Sequence, residues 1–217
     1  MVEKMNPNLT DYLLALNAWH CSCHTYLFHR SGISLSTLDN PGWSLIIKDA
    51  GRHGKIQKVM QDYSDDDWYY FKASENIFYS ACGIGENNLL HLLYTATEWL
   101  GLDVEKQAGF DYLGAMNEWY ARQCDGWWEH GNGISFSNIE ISGWKLTIED
   151  EEASGKSART DFVLTRNRSE RDWYAVKTEH EPRWPEMTRL FAACGGESFS
   201  DMLDISYKWL VTGKYDG

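Results

Sequence analysis

Two short runs of the chain hold the side chains best suited to chemistry. His20, Cys21, Cys23 and His24 lie within five residues. If a helix runs through them, His20 and His24 share a face at the i, i+4 spacing of a metal-ligand pair. In the second run Asp125, Glu129 and His130 could form an acid and base set, with Cys124 as nucleophile. Both readings weaken when the chain is laid against itself. Tyr120 and Asp125 stand opposite the two histidines of the first run, and no other cluster completes four ligands. No P-loop, dinucleotide fingerprint or nucleophile elbow accompanies the second run. Cys23 recurs as Cys124 and Cys82 as Cys194, which suits small buried residues better than reactive ones. Catalytic residues, metal and cofactor are therefore all expected to be absent.

The elements that would carry these residues follow from periodicity. Tyr12, Leu13, Leu16 and Trp19 recur at helical spacing behind Thr10, a candidate cap. The period then becomes two. Ile33, Leu35 and Thr37 alternate with Ser34 and Ser36, and Trp43, Leu45 and Ile47 alternate after a turn, which predicts a half-buried antiparallel hairpin. Further strands are expected at "DWYYFKA" and "NIFYSACG". A closing helix is expected from about Asn88 to Leu100, with Leu89, Leu92, Leu93, Ala96 and Trp99 inward and Gly101 as its stop.

The same order then repeats. Tyr12, Asn17 and Trp19 match Tyr112, Asn117 and Trp119; "GISLS" at Gly32 matches "GISFS" at Gly133; "DWY" at Asp67 matches "DWY" at Asp172; "ACG" at Ala81 matches "ACG" at Ala193. Of eleven tryptophans, eight form four matched pairs: 19 with 119, 43 with 144, 68 with 173 and 99 with 209. Coincidence on that scale marks a tandem duplication. The expected fold is α+β, two tandem copies of a helix, antiparallel sheet, helix module, residues 1–106 and 107–217. Helices at both ends of each module would cover one face of its sheet. Ser198 or Ser200 would cap the last helix and Gly213 would stop it.

Two of the differences between the copies carry the candidate site. Copy one has Asp39-Asn40-Pro41-Gly42-Trp43 where copy two has Glu140-Ile141-Ser142-Gly143-Trp144. Retention of the glycine predicts a type II turn needing positive φ there. Asp39 and Asn40 are then polar groups on an exposed tip. Conversely, copy two has "CDGWWEH" from Cys124 where copy one has "CHTYLFH" from Cys23. Asp125-Gly126 reads as a turn, and of Trp127 and Trp128 one is expected to be exposed, an interface anchor beside Glu129 and His130.

"WYARQCDGWWEHGNGI" in copy two and "GISLSTLDNPGW" in copy one, in that order, resemble the consensus of immunity protein family fifty-three, small proteins encoded beside polymorphic toxins in bacteria. In that family a helix runs into Cys-Asp-Gly-x-Trp-Glu-His, then a strand, then Leu-Asp-Asn-Pro-Gly-Trp. Copy two keeps the first motif at Cys124 to His130, and copy one keeps the second at Leu38 to Trp43. The resemblance implies an inhibitor that binds a cognate toxin C-terminal domain and has no catalysis of its own. It places the toxin-binding candidates at Asp39, Asn40, Trp43, Asp125, Trp127, Trp128, Glu129 and His130, one surface divided between the copies.

Charge agrees in kind. The net charge is −12, made up of −5 over residues 1–106 (8 basic, 13 acidic) and −7 over 107–217 (12 basic, 19 acidic). Such a surface disfavours nucleic acid and anionic membranes and steers a basic partner, a nuclease or ADP-ribosyltransferase toxin among the options. Asp65 and Asp66, with Asp67, and the run Glu149 to Glu152 are the steering candidates. Five cysteines without a CxxC pair, no apolar leader and no stretch long enough to span a bilayer predict a cytoplasmic protein with reduced thiols. The excess of Trp and Tyr leaves one alternative, a carbohydrate- or small-ligand-binding module using exposed aromatics.

Overall fold

The computed structural model describes residues 6–23, 32–48, 57–139, 143–151, 161–181 and 184–213. Copy one runs α1 (Leu9–Ser22), β1 (Gly32–Leu38), β2 (Gly42–Lys48), β3 (Gln57–Asp62), β4 (Trp68–Ala73), β5 (Ile77–Gly83) and α2 (Asn88–Leu100). Copy two runs α3 (Tyr112–Gln123), β6 (Gly133–Ile139), β7 (Gly143–Glu151), β8 (Val163–Asn167), β9 (Trp173–Glu181), β10 (Trp184–Gly195) and α4 (Phe199–Thr212). The α+β class and the repeated module are as expected. The helix limits at Gly101 and Gly213 hold as well, both glycines closing their helices in the left-handed conformation, at φ 69° and 71°. Among the described residues no helix is long and apolar enough to cross a membrane.

The ten strands form one antiparallel sheet in the order β3-β4-β5-β2-β1-β6-β7-β10-β9-β8. The second half of that order is the first half reversed, copy for copy. At the join, Leu35 faces Phe136, its own counterpart, while Ser34 faces Ser137 and Ser36 faces Ser135. A pseudo-two-fold axis therefore passes between Leu35 and Phe136, and the copies meet as the subunits of an isologous dimer would.

Side-chain contacts across the axis are reciprocal. Trp43 Nε1 donates to Asn117 Oδ1 at 2.7 Å, and Trp144 Nε1 donates to Asn17 Oδ1 at 2.9 Å. Ile134 N donates to Thr37 Oγ1 at 3.0 Å, and Ile33 N to the matching Asn138 Oδ1 at 2.6 Å. The His20 ring meets Trp144 edge-on, as the Tyr120 ring meets Trp43. Each opening helix thus reaches over the other copy's half of the sheet. This corrects the expectation of a self-contained layer in each copy. Trp43 and Trp144 are fully buried, so each Nε1–H needs an acceptor, and the partner copy supplies it. The closing helices stay with their own strands: Trp99 packs on Phe78, and α4 sends Phe199 onto Trp144.

Two local expectations are also corrected. Thr10 is not the cap of α1: Asn8 and Asp11 form a reciprocal capping box, and Thr10 instead binds Asp111 at the start of α3 through its N–H (2.9 Å) and hydroxyl (2.8 Å). Nor does Gly42 supply positive φ. Among the described residues that conformation falls to Asn87, Gly101, Gly126, Gly133 and Gly213. The hairpin loop is Asp39-Asn40-Pro41 and Gly42 opens β2. Glycine is required there by close approach: a Cβ would collide with the Cys82 carbonyl oxygen of β5, and one on Gly143 would lie 2.7 Å from the matching Cys194 oxygen.

Candidate functional site

Strand register gathers four segments at one end of the sheet. The 39–41 tip lies between Leu38 and Gly42, the 63–67 turn between Asp62 and Trp68, and Gly133, which follows the 124–132 segment, lies opposite Glu149 near the end of β7. The antiparallel join of β1 to β6 brings copy two's 124–132 segment to copy one's tip. The two motifs that the copies keep separately are therefore neighbours.

The 124–132 segment is built around two carboxylates. Asp125 Oδ1 accepts from the N–H of Trp127 and of Trp128, both at 2.9 Å. Donation from Trp128 and then Trp127 holds the Asp125 carboxyl below its ordinary pKa. Glu129 is 3% exposed and accepts from the N–H of Asp125 at 3.1 Å and of Gly126 at 3.0 Å. Gly126, at φ 92°, takes the conformation that makes the turn possible. Trp128 packs edge-on against Trp119, with Nε1 3.3 Å from Asp150 Oδ1. Trp127 is left 84% exposed, and His130 is exposed beside it. Of the candidates in this segment, Trp127, Asp125 and His130 present surface, whereas Glu129 and Trp128 hold the segment in shape.

The hairpin tip separates two clefts. On one side Asp39 borders a cleft of about 410 Å³ with Glu129, His130, Asn132 and Glu149. On the other Asn40 borders a cleft of about 330 Å³ with Asp62, Asp65 and Trp68. No Lys or Arg is among the described residues lining either one. Asp66 is exposed in the same turn as Asp65. Trp43 is a correction: it is fully buried and bonded to Asn117, and offers a partner no surface. Asp62 and Asn132 also line these clefts without having been singled out in the sequence, Asp62 because only the strand register brings it in and Asn132 because it lies just past the His130 that ends its motif.

The opposite end of the sheet is chemically different. Its 168–172 turn repeats the backbone of 63–67, with Arg168 N donating to Asp172 O as Tyr63 N donates to Asp67 O, both at 2.9 Å. Where the first turn carries Asp65-Asp66-Asp67, the second carries Glu170-Arg171-Asp172 after Arg168. Nearby, Arg166 is tied to Asp172 at 2.8 Å, to Ser198 at 3.1 Å and to Asp201. The segments matching the two motifs at this end, including Tyr26, His29, Glu140 and Ile141, lie outside the described residues, as do Glu152 and His24.

The chemistry weighed for the cysteines meets the same packing. Burial raises the Cys124 thiol to about 11 and the Cys82 and Cys194 thiols to about 12, so all three are protonated near neutral pH. The buried His20 ring lies against Asn138. Among the described residues no three His, Cys, Asp or Glu side chains cluster as a metal site would require.

The family model for immunity protein 53 matches residues 13–107 and again residues 113–210. The chain belongs to the immunity protein 53 family. The two matches fall on the two pseudo-symmetric copies, so the repeat in the fold is a repeat of the family module. Family membership makes the chain an immunity protein directed against a toxin. No curated protein and no solved structure matches the chain.

Proposed function

We propose that this immunity protein neutralises a cognate toxin domain by tight non-covalent binding at the acidic end of the sheet, covering the toxin's active site or the surface with which it meets its target. One observation carries the reading. The hairpin motif survives in copy one and the Cys-Asp-Gly-x-Trp-Glu-His motif in copy two, and the pseudo-two-fold fold brings those two, 39–41 and 124–130, to the same end. Carboxylates frame that end, and among the described residues no Lys or Arg lines either cleft, which favours a basic toxin domain and speeds encounter by steering. Trp127 is the exposed aromatic anchor.

The test is co-expression with the toxic C-terminal domain encoded by the neighbouring gene, scored by survival and by co-purification through a sizing column. Survival with a stable complex supports the reading. Folded immunity protein that neither rescues nor co-elutes overturns it, and a tryptophan-fluorescence response to simple sugars would then favour the carbohydrate-binding alternative.

A further inference from the structure

We propose that β3, the outer strand of copy one, pairs with β3 of a second molecule of this chain, antiparallel about Met60, so that two ten-stranded sheets run on as one. β3 ends the strand order, and no described strand lies beyond it. The ladder decides which of its residues face outward. Tyr63 N donates to the Asp67 carbonyl at 2.9 Å, and by antiparallel alternation Gln61 and Val59 then bond to β4, opposite Tyr69 and Phe71. Lys58, Met60 and Asp62 therefore turn their N–H and C=O groups away from the sheet, an open row of donors and acceptors. Their side chains share the face away from the helices, opposite Lys72, Tyr70 and Trp68, while Tyr69 on the other face bonds to Thr95 of α2.

Two observations select a second molecule as the occupant. The first is charge order. With Met60 opposite Met60, a two-fold pairing sets Lys58 of each strand directly against Asp62 of the other. A lysine on an edge strand ordinarily keeps other strands off; here a carboxylate stands at the spacing this register requires. Met60, 68% exposed, meets its own counterpart between the two ion pairs. The second observation is a repulsion left standing. Lys58 faces Lys72 directly across β3 and β4, and among the described residues neither lysine is in an ion pair. Asp62 of the second molecule compensates that pair of like charges. The opposite edge carries no such order: β8 turns Val163, Thr165 and Asn167 outward by the same alternation, since Arg168 N donates to the Asp172 carbonyl at 2.9 Å, and none of the three is charged. One competent edge per chain closes the assembly at two. The 39–41 tip and the 124–132 segment lie three or more strands away, so each chain keeps its candidate toxin site.

The strand is short and each chain carries a net charge of −12, so the dimer Kd is expected on the order of 10–100 μM. Sedimentation velocity on the full chain, at concentrations bracketing that value, reads it. Lys58→Asp and Asp62→Lys each set like charges against one another twice, and each should weaken self-association by about tenfold or more. Mixed together, the two variants should associate within about threefold of wild type, because an acidic strand then meets a basic one. Recovery on mixing separates pairing from damage to β3, which mixing would not repair. Thr165→Lys on β8 should change nothing. A wild type that stays monomeric throughout, a dimer indifferent to both reversals, no recovery on mixing, or growth beyond two would overturn the pairing. A monomeric wild type whose toxin affinity falls in Lys58→Asp would likewise overturn it and give the edge to the toxin.

Discussion

Trp127 turns 84% of its surface to solvent, while its neighbour Trp128 lies edge-on against Trp119. Trp127→Ala should therefore leave the thermal midpoint unchanged and raise the toxin Kd by about tenfold or more, as calorimetry would read it. Glu129→Ala should act on stability instead, by about 1–3 kcal/mol in denaturant titration, because it strips the acceptor from the N–H groups of Asp125 and Gly126. Asp125 makes its contribution visible in pH. Its carboxyl is held below the ordinary range by the Trp128 and Trp127 amides, so its support is complete above that range and fades as pH falls through the lowered value. Protection of those two amides from exchange should be lost only once pH falls below the ordinary carboxylate range, and Asp125→Asn should remove the pH-dependent part. That one of the two tryptophans must be exposed was legible from adjacency. Which one was not, because the choice rests on where Asp125 and Asp150 accept their hydrogen bonds.

Elements with local signals were the readable ones. The 88–100 helix stops at Gly101 where a left-handed glycine ends it, and the β1–β2 hairpin follows its alternation. The destination of α1 and α3 was hidden, since Asn17 and Asn117 meet their tryptophan partners 127 and 74 residues away. So was the reason for Gly42, whose turn-like setting concealed a collision with β5. Gly42→Ala should cost about 1–3 kcal/mol or more, and Gly143→Ala less, because the approach at Gly143 is looser. Asn17→Ala and Asn117→Ala should each cost about 1–3 kcal/mol by leaving a buried indole N–H without its acceptor, and chemical unfolding would read both.

At the scale of the molecule, the tandem is a dimer made within one chain. Its single sheet and crossed helices predict one cooperative unfolding transition, the same by tryptophan fluorescence and by circular dichroism; two separated transitions would mean independent halves. The duplication itself was legible from the matched tryptophans, and so was the division of the two motifs between the copies. Their meeting was not legible, because it depends on the antiparallel join of Ser34, Leu35 and Ser36 to β6. One end of the sheet is now acidic and the other carries Arg168 and Arg171, so the chain should hold one toxin rather than two, with an association rate that falls as salt is added. Titration calorimetry of the toxin domain into wild type, Asp39→Lys, Trp127→Ala and Glu170→Lys tests this most directly. One toxin per chain, with affinity lost by Asp39→Lys in copy one and by Trp127→Ala in copy two but kept by Glu170→Lys at the far end, is the predicted result. Two toxins per chain, or sensitivity confined to one copy, would contradict a shared site.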